Sequence, residues 1–109
     1  MYIRRKIIRS KNHKITFKIP IVLRVRRMEG MYVVSHKKAL IYGFESTLRK
    51  SIRDLTECIR LEYNYYRRKD ISHNEFSKLS LKYYKKIIKS IWRIHGKSRN
   101  FKNVSREVV

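Results

Sequence analysis

The sequence predicts an α+β domain, a small antiparallel sheet of three to four strands packed against two helices. Three observations carry that expectation. Apolar residues alternate over residues 15–25, the periodicity of a half-buried strand. A glycine-ended turn and another apolar run follow at once. Two later segments repeat apolar residues at three- and four-residue steps, the periodicity of amphipathic helices. A chain of 109 residues suffices for one modest core and is small for two.

The elements follow in order. Residues 1–14 hold Arg4, Arg5, Lys6, Arg9, Lys11 and Lys14 around Ile3, Ile7 and Ile8, which reads as a basic arm or a short edge strand. In the next segment Ile15, Phe17, Ile19, Ile21, Leu23 and Val25 share one face, and Thr16, Lys18, Pro20, Arg24 and Arg26 share the other. Proline has no N–H to give a ladder, so an edge position or a bulge is expected at Pro20. RRMEG at 26–30 supplies a hairpin turn, MYVVS at 31–35 the return strand, and ALIY at 39–42 a third, shorter strand.

Helix one is expected from about Thr47 to Arg68, with Leu48, Ile52, Leu55, Ile59, Tyr63 and Tyr66 as its apolar stripe. After a break at residues 70–72, Ser72 and Glu75 have the spacing of a capping box and open helix two. Its stripe is Phe76, Leu79, Tyr83, Ile87, Ile91 and Ile94, and Gly96 is its expected stop. Residues 97–109 have no period and read as a polar basic tail, which leaves 15–96 as the domain proper.

Charge narrows the partners. Lys and Arg number 29 against 8 Asp and Glu, for a net charge of +21. Solubility needs far less, and such an excess attracts polyanions such as RNA or DNA. On helix two Lys78, Lys82, Lys85, Lys86, Lys89 and Arg93 fall within about 100° of a helical wheel. No acid separates Glu75 from Glu107. A solvated face normally mixes signs, so an all-cation stripe beside aromatics such as Tyr84 suits phosphates and stacking bases. Arg49 and Lys50 fall in the first turn of helix one, where the helix dipole disfavours cations by roughly 0.3–1 kcal/mol each. A bound anion near Ser46–Lys50 would account for them. Candidate nucleic-acid contacts are therefore Arg4, Arg5, Lys6, Arg49, Lys50 and the helix-two cations.

Catalysis finds little support. The acids are Glu29, Glu45, Asp54, Glu57, Glu62, Asp70, Glu75 and Glu107, and pairing of Asp54 with Lys50 and Glu57 with Arg53 as surface salt bridges is expected. His13, His36, His73 and His95 fall in predicted loops and ends; His36 beside Lys37 and Lys38 could touch phosphate, but a solvent-exposed turn residue is the expectation. The lone Cys58 offers neither a disulfide nor zinc spacing, and no glycine-rich phosphate loop or GxSxG is present. No enzymatic activity, metal or cofactor is expected. The single cysteine fits a reducing compartment, and a cytoplasmic location is expected. The longest apolar run, IPIVL at 19–23, is too short to span a bilayer. No strongly amphipathic helix with a free apolar face supports an anionic membrane surface, so no membrane partner is expected. Oligomeric state stays open, a homo-oligomer included.

The order of strands and helices over IPIVLRVRRMEGMYVVSHKKALIYGFESTLRKSIRDLTECIRLEY, positions 19–63, resembles the HicB-like antitoxin family. Tyr42, Gly43, Thr47, Asp54 and Leu55 match its YGxGxTxEEALxDL segment, with Ile52 in the leucine position. The resemblance implies a partial RNase H-like fold without nuclease residues, and a HicA-like toxin as protein partner. Arg49 and Lys50 replace the family's two glutamates, Glu45 a glycine and Ser51 an alanine. A protein of charge +21 repels a basic toxin. Two functions follow as expectations: a HicB-like antitoxin whose basic surface engages nucleic acid, or an RNA-binding accessory protein of a particle such as a ribosome.

Overall fold

The computed structural model describes residues 1–39, 41–94 and 104–107, the last four as backbone. Leu40, His95 and Gly96, with the helix end expected there, lie outside the described residues. Along the chain run β1 (Tyr2–Arg9), β2 (His13–Met28), β3 (Met31–His36), a 3-10 turn (Lys37–Ala39), β4 (Ile41–Glu45), α1 (Leu48–Tyr66), α2 (Glu75–Ile87), β5 (Ile88–Ile94) and β6 (Val104–Glu107). The class is α+β, as the periodicities imply. The sheet is larger than expected, with six strands among the described residues. The basic N-terminus is a strand, and part of the expected tail pairs with β5 as β6.

The long β2 organises the sheet. β1 runs along one of its edges, while β3 pairs with Arg24–Met28 and β5 with His13–Phe17 on the other. Between those two partners the β2 edge is interrupted from Lys18 to Leu23. The β1 ladder shifts register over the same stretch, between Arg5 and Ile7. Pro20 sits inside the irregularity, as its missing N–H demands. The distortion also corrects one expectation: Ile19, read as inward, is 64% exposed.

Met28 pairs with Met31, which leaves Glu29 and Gly30 as a two-residue turn with φ of 53° and 77°. Positive φ at both central positions is the primed turn that matches strand twist.

Both helices lie on one side of the sheet. Thr47 caps α1, its hydroxyl accepting from the Lys50 N–H at 3.1 Å. Leu55, Ile59 and Tyr63 are buried as expected, with Leu48, Ile52 and Tyr66 packed partly beside them. Gly43 on β4 lets α1 approach: a Cβ there would stand 2.0 Å from the Ser51 carbonyl oxygen and 2.8 Å from the Leu55 nitrogen. The core joins these residues to Ile15, Phe17, Leu23 and Val34 of the sheet.

Helix two departs most from expectation. Its N-cap is Asn74, whose side-chain oxygen accepts from the Ser77 N–H at 2.8 Å, in place of Ser72. It ends at Ile87, and Ile88–Ile94 enter the sheet as β5. Ile87, Ile88, Ile91 and Trp92 fit either period, and β-branched and aromatic residues favour the strand once an edge of β2 is available. The helix is also rotated relative to its expected stripe, leaving Phe76 and Leu79 exposed. Tyr84, expected on the surface, is buried. Its ring meets Tyr63 edge-on at 6.0 Å and stacks on Tyr66 at 6.4 Å, and its hydroxyl donates to Glu62 at 2.8 Å.

Candidate nucleic-acid interface

With both helices on one side, strand alternation decides what the other side shows. On β2 the outward residues include Lys14, Thr16, Val22, Arg24 and Arg26. Cross-strand register places Tyr2, Arg24, Ser35 and Tyr42 in one row across β1, β2, β3 and β4. Arg26, Val33 and Phe44 make the next row, and Arg4 stands beside Val22 on the other flank. Toward the opposite end, Arg9, Lys14 and Trp92 continue the same side. Tyr2 is 68% exposed, Tyr42 64% and Phe44 46%.

No described acidic side chain lies on this face. Glu29 is in the turn, and Glu45 pairs in register with the inward Tyr32. Asp54, Glu57 and Glu62 are on α1, Asp70 follows it, and Glu75 opens α2. Several of these acids clip the fold together. Asp54 accepts from the Phe44 N–H at 3.1 Å. Glu57 accepts from Ser10 Oγ at 2.6 Å and from Arg60 at 2.9 Å, and meets His13 Nδ1 at 3.1 Å. These contacts replace the Asp54–Lys50 and Glu57–Arg53 pairs expected from spacing. Burial pushes the Glu57 carboxyl upward, but its bonds from Arg60 and Ser10 and the nearby charges outweigh that and hold it below the usual carboxylate range. Burial raises the Glu62 carboxyl against the opposing bond from Tyr84. Burial and the neighbouring acids also raise the Cys58 thiol, which disfavours the nucleophilic thiolate.

At the interruption of the β2 edge the outer face opens into a groove of about 810 Å³. Pro20, Val22, Arg24 and Tyr42 line it from the sheet, Lys37 and Lys38 from the 3-10 turn, and Tyr83 and Lys86 from α2. His36 also lines it, but buried, which corrects its reading as an exposed turn residue. Its Nδ1 lies 3.0 Å from the Val22 carbonyl oxygen and its Nε2 lies 2.6 Å from the Tyr83 hydroxyl. A carbonyl only accepts, so Nδ1 carries a proton, and in the neutral ring Nε2 accepts from Tyr83. A smaller hollow of about 380 Å³ adjoins the groove through shared Ser35 and Tyr42, and Arg26, Met28, Val33 and Phe44 complete it.

The residues singled out from sequence are dispersed. Arg4 is on the outer face; Arg5 and Lys6 are exposed at the β1 irregularity, where Arg5 donates to the Arg4 carbonyl at 3.0 Å. Arg49 and Lys50 are exposed on α1, in the layer behind the sheet. Lys78, Lys82, Lys85 and Lys86 are exposed on α2, whereas Lys89 and Arg93 are exposed on β5, so the six do not form one helical stripe. Of these only Lys86 reaches the groove; Lys78 and Lys85 line a separate hollow near the α1–α2 turn with Arg67, Arg68 and Lys69. The sequence reading left out Tyr2, Arg24, Arg26, Tyr42 and Phe44 of this face, and set Lys37 and Lys38 aside together with His36. The signal was present in the polar half of the β2 alternation, where Arg24 and Arg26 already shared a face.

No helix among the described residues is long and apolar enough to cross a membrane, and no described group of three or more His, Cys, Asp or Glu is placed to hold a metal ion. No protein-family model, curated protein or solved structure matches the chain.

Proposed function

We propose that this chain is a non-enzymatic, cytoplasmic nucleic-acid-binding protein that uses the open face of its sheet. The observation that carries the reading is the separation of charge: Arg4, Arg9, Lys14, Arg24 and Arg26 share a face with exposed Tyr2, Tyr42 and Phe44, while the described acids lie elsewhere. Single exposed rings need no explanation, but rings grouped with cations on one sheet face point to an interaction surface. Cations neutralise phosphates and release counterions, and aromatic rings stack on bases. The test is binding of RNA and DNA oligonucleotides across a salt series. Four to six phosphate contacts give a log–log slope of roughly −3 to −5. Affinity independent of salt contradicts the proposal.

The HicB-like resemblance supplies a second reading, favoured by one observation. Gly43 of the matched Tyr42–Gly43 pair is the residue over which α1 crosses β4, with Ser51 and Leu55 against it. The family's glycine thus has a physical reason in this chain. Under that reading a HicA-like toxin docks on the protein. One-to-one capture of such a toxin after nuclease treatment supports it, and capture lost with the nucleic acid argues for the first reading.

A further inference from the structure

The exposed rings bear on which form of nucleic acid the outer face accepts. In a duplex the base faces are stacked on one another and the surface offers phosphates and groove edges. The ring faces of residues such as Tyr2 and Tyr42 can stack only on bases that are unpaired and unstacked.

We propose that the groove at the Lys18–Leu23 interruption binds unpaired nucleotides of a single strand; this rests on the nucleic-acid reading above. The groove has the composition such a ligand requires. Ile21, Ile41 and Ile87 give it an apolar, buried floor. Arg24, Lys37, Lys38 and Lys86 supply cations from three different elements. Its volume of about 810 Å³ lies within the usual range for small-molecule sites.

Its wall is also held in place before any ligand arrives. His36 is fixed at both ring nitrogens, to the Val22 carbonyl and the Tyr83 hydroxyl, and stacks on the Tyr83 ring at 5.8 Å. Outside the lining, Lys18 Nζ donates to the Lys85 carbonyl at 3.1 Å and ties β2 to the end of α2.

Tyr42 sets the path of the strand. Like Ser35, it belongs both to the groove and to the neighbouring hollow, and its exposed ring marks where the two meet. Phe44 is two residues along the same face of β4, about 7 Å away at the usual strand rise. A single strand leaving the groove therefore meets Tyr42 and then Phe44, with Arg24 and Arg26 alongside. Bases stack on the rings and phosphates follow the arginines.

The test uses the full chain and fluorescein-labelled oligonucleotides of about 12 nucleotides, within the span of one small binding domain. Single-stranded RNA, single-stranded DNA and the matching duplex are titrated at one salt concentration by anisotropy. The expected result is tighter binding of at least one single strand than of the duplex. Tyr42→Ala lowers single-strand affinity about tenfold with its salt slope unchanged, and leaves duplex affinity unchanged. Lys37→Ala with Lys38→Ala flattens the slope by roughly 1 to 2. Tyr2→Ala replaces Tyr42→Ala if the latter alters the melting curve. Duplex affinity equal to or above single-strand affinity overturns the proposal, as does an unchanged single-strand affinity on ring removal. If Arg24→Glu with Arg26→Glu still abolishes binding in that case, the sheet-face reading stands and the groove falls. If no oligonucleotide binds the parent protein, both fall together.

Discussion

Tyr2 and Tyr42 stand at the two ends of one cross-strand row, four strands wide, with Arg24 and Ser35 between them. The residues come from distant parts of the chain, and only the pairing of β1 to β2, β2 to β3 and β3 to β4 aligns them. That row joins the outer face to the groove, since all four residues line it. Its integrity depends on the layer behind it, which several substitutions probe.

Gly43→Ala tests the close packing of α1 on β4. The added methyl meets backbone atoms of Ser51 and Leu55, which cannot rotate away. The expected cost is about 2–4 kcal/mol or loss of folding, the range of severe overpacking. Urea denaturation within about 0.5 kcal/mol of the parent would show that the helix tolerates displacement.

The β2–β3 turn offers a stabilising change. Glu29 holds φ of 53° without the local hydrogen bonding that lets asparagine adopt this region. Glu29→Asn creates Asn-Gly, the preferred pair for a turn of this type, and is expected to raise stability by about 0.5–1 kcal/mol. An unchanged or lower melting temperature would mean that the Glu29 side chain contributes something the turn geometry does not reveal.

At the other end of the helix layer, Arg49→Glu with Lys50→Glu places acids in a first turn that has none. Lys50 is the residue whose N–H bonds to the Thr47 hydroxyl, so a glutamate there completes a capping box. Stability is expected to rise by about 0.5–1.5 kcal/mol. Because this turn lies behind the sheet, oligonucleotide affinity should fall only through net charge, by less than about tenfold. A larger loss of affinity would restore an anion site at the helix start.

Glu57 gives the fold an acid-side dependence on pH. Its folded carboxyl titrates below the usual range, so the native state binds its proton less readily than the unfolded chain. Stability from this group is present above the unfolded pKa and is lost as pH falls through the folded one. Glu57→Gln should cost about 1–2 kcal/mol at pH 7, moderated because the side chain is 35% exposed and partly screened. The variant and parent should converge in acid. A difference that persists undiminished at low pH would assign the effect to packing.

Much of the fold was legible because its periods were unambiguous. The alternation from Ile15 to Val25 and the stripe from Leu48 to Tyr66 can each bury one face in only one kind of element. The second half of the chain was harder to read. Ile87, Ile91 and Ile94 continue a helical stripe on paper, and only the free edge of β2 makes Ile88–Ile94 a strand. The candidate interface was hidden for a related reason. A charge stripe can be drawn on a helical wheel, whereas the row from Tyr2 to Tyr42 exists only once non-local strand pairing is known. The burial of Tyr84 and His36 was equally hidden, since each is held by partners at least fourteen residues away.

The most direct measurement compares two charge reversals of equal size in the same oligonucleotide titration. Arg24→Glu with Arg26→Glu alters the open face, and Lys78→Glu with Lys82→Glu alters α2 by the same net charge. If the sheet face binds nucleic acid, the first pair lowers affinity by about 100-fold and flattens the salt slope by roughly 2, while the second costs less than about tenfold. Equal losses from the two pairs, or a greater loss from the helix pair, would contradict the assignment of binding to the outer face.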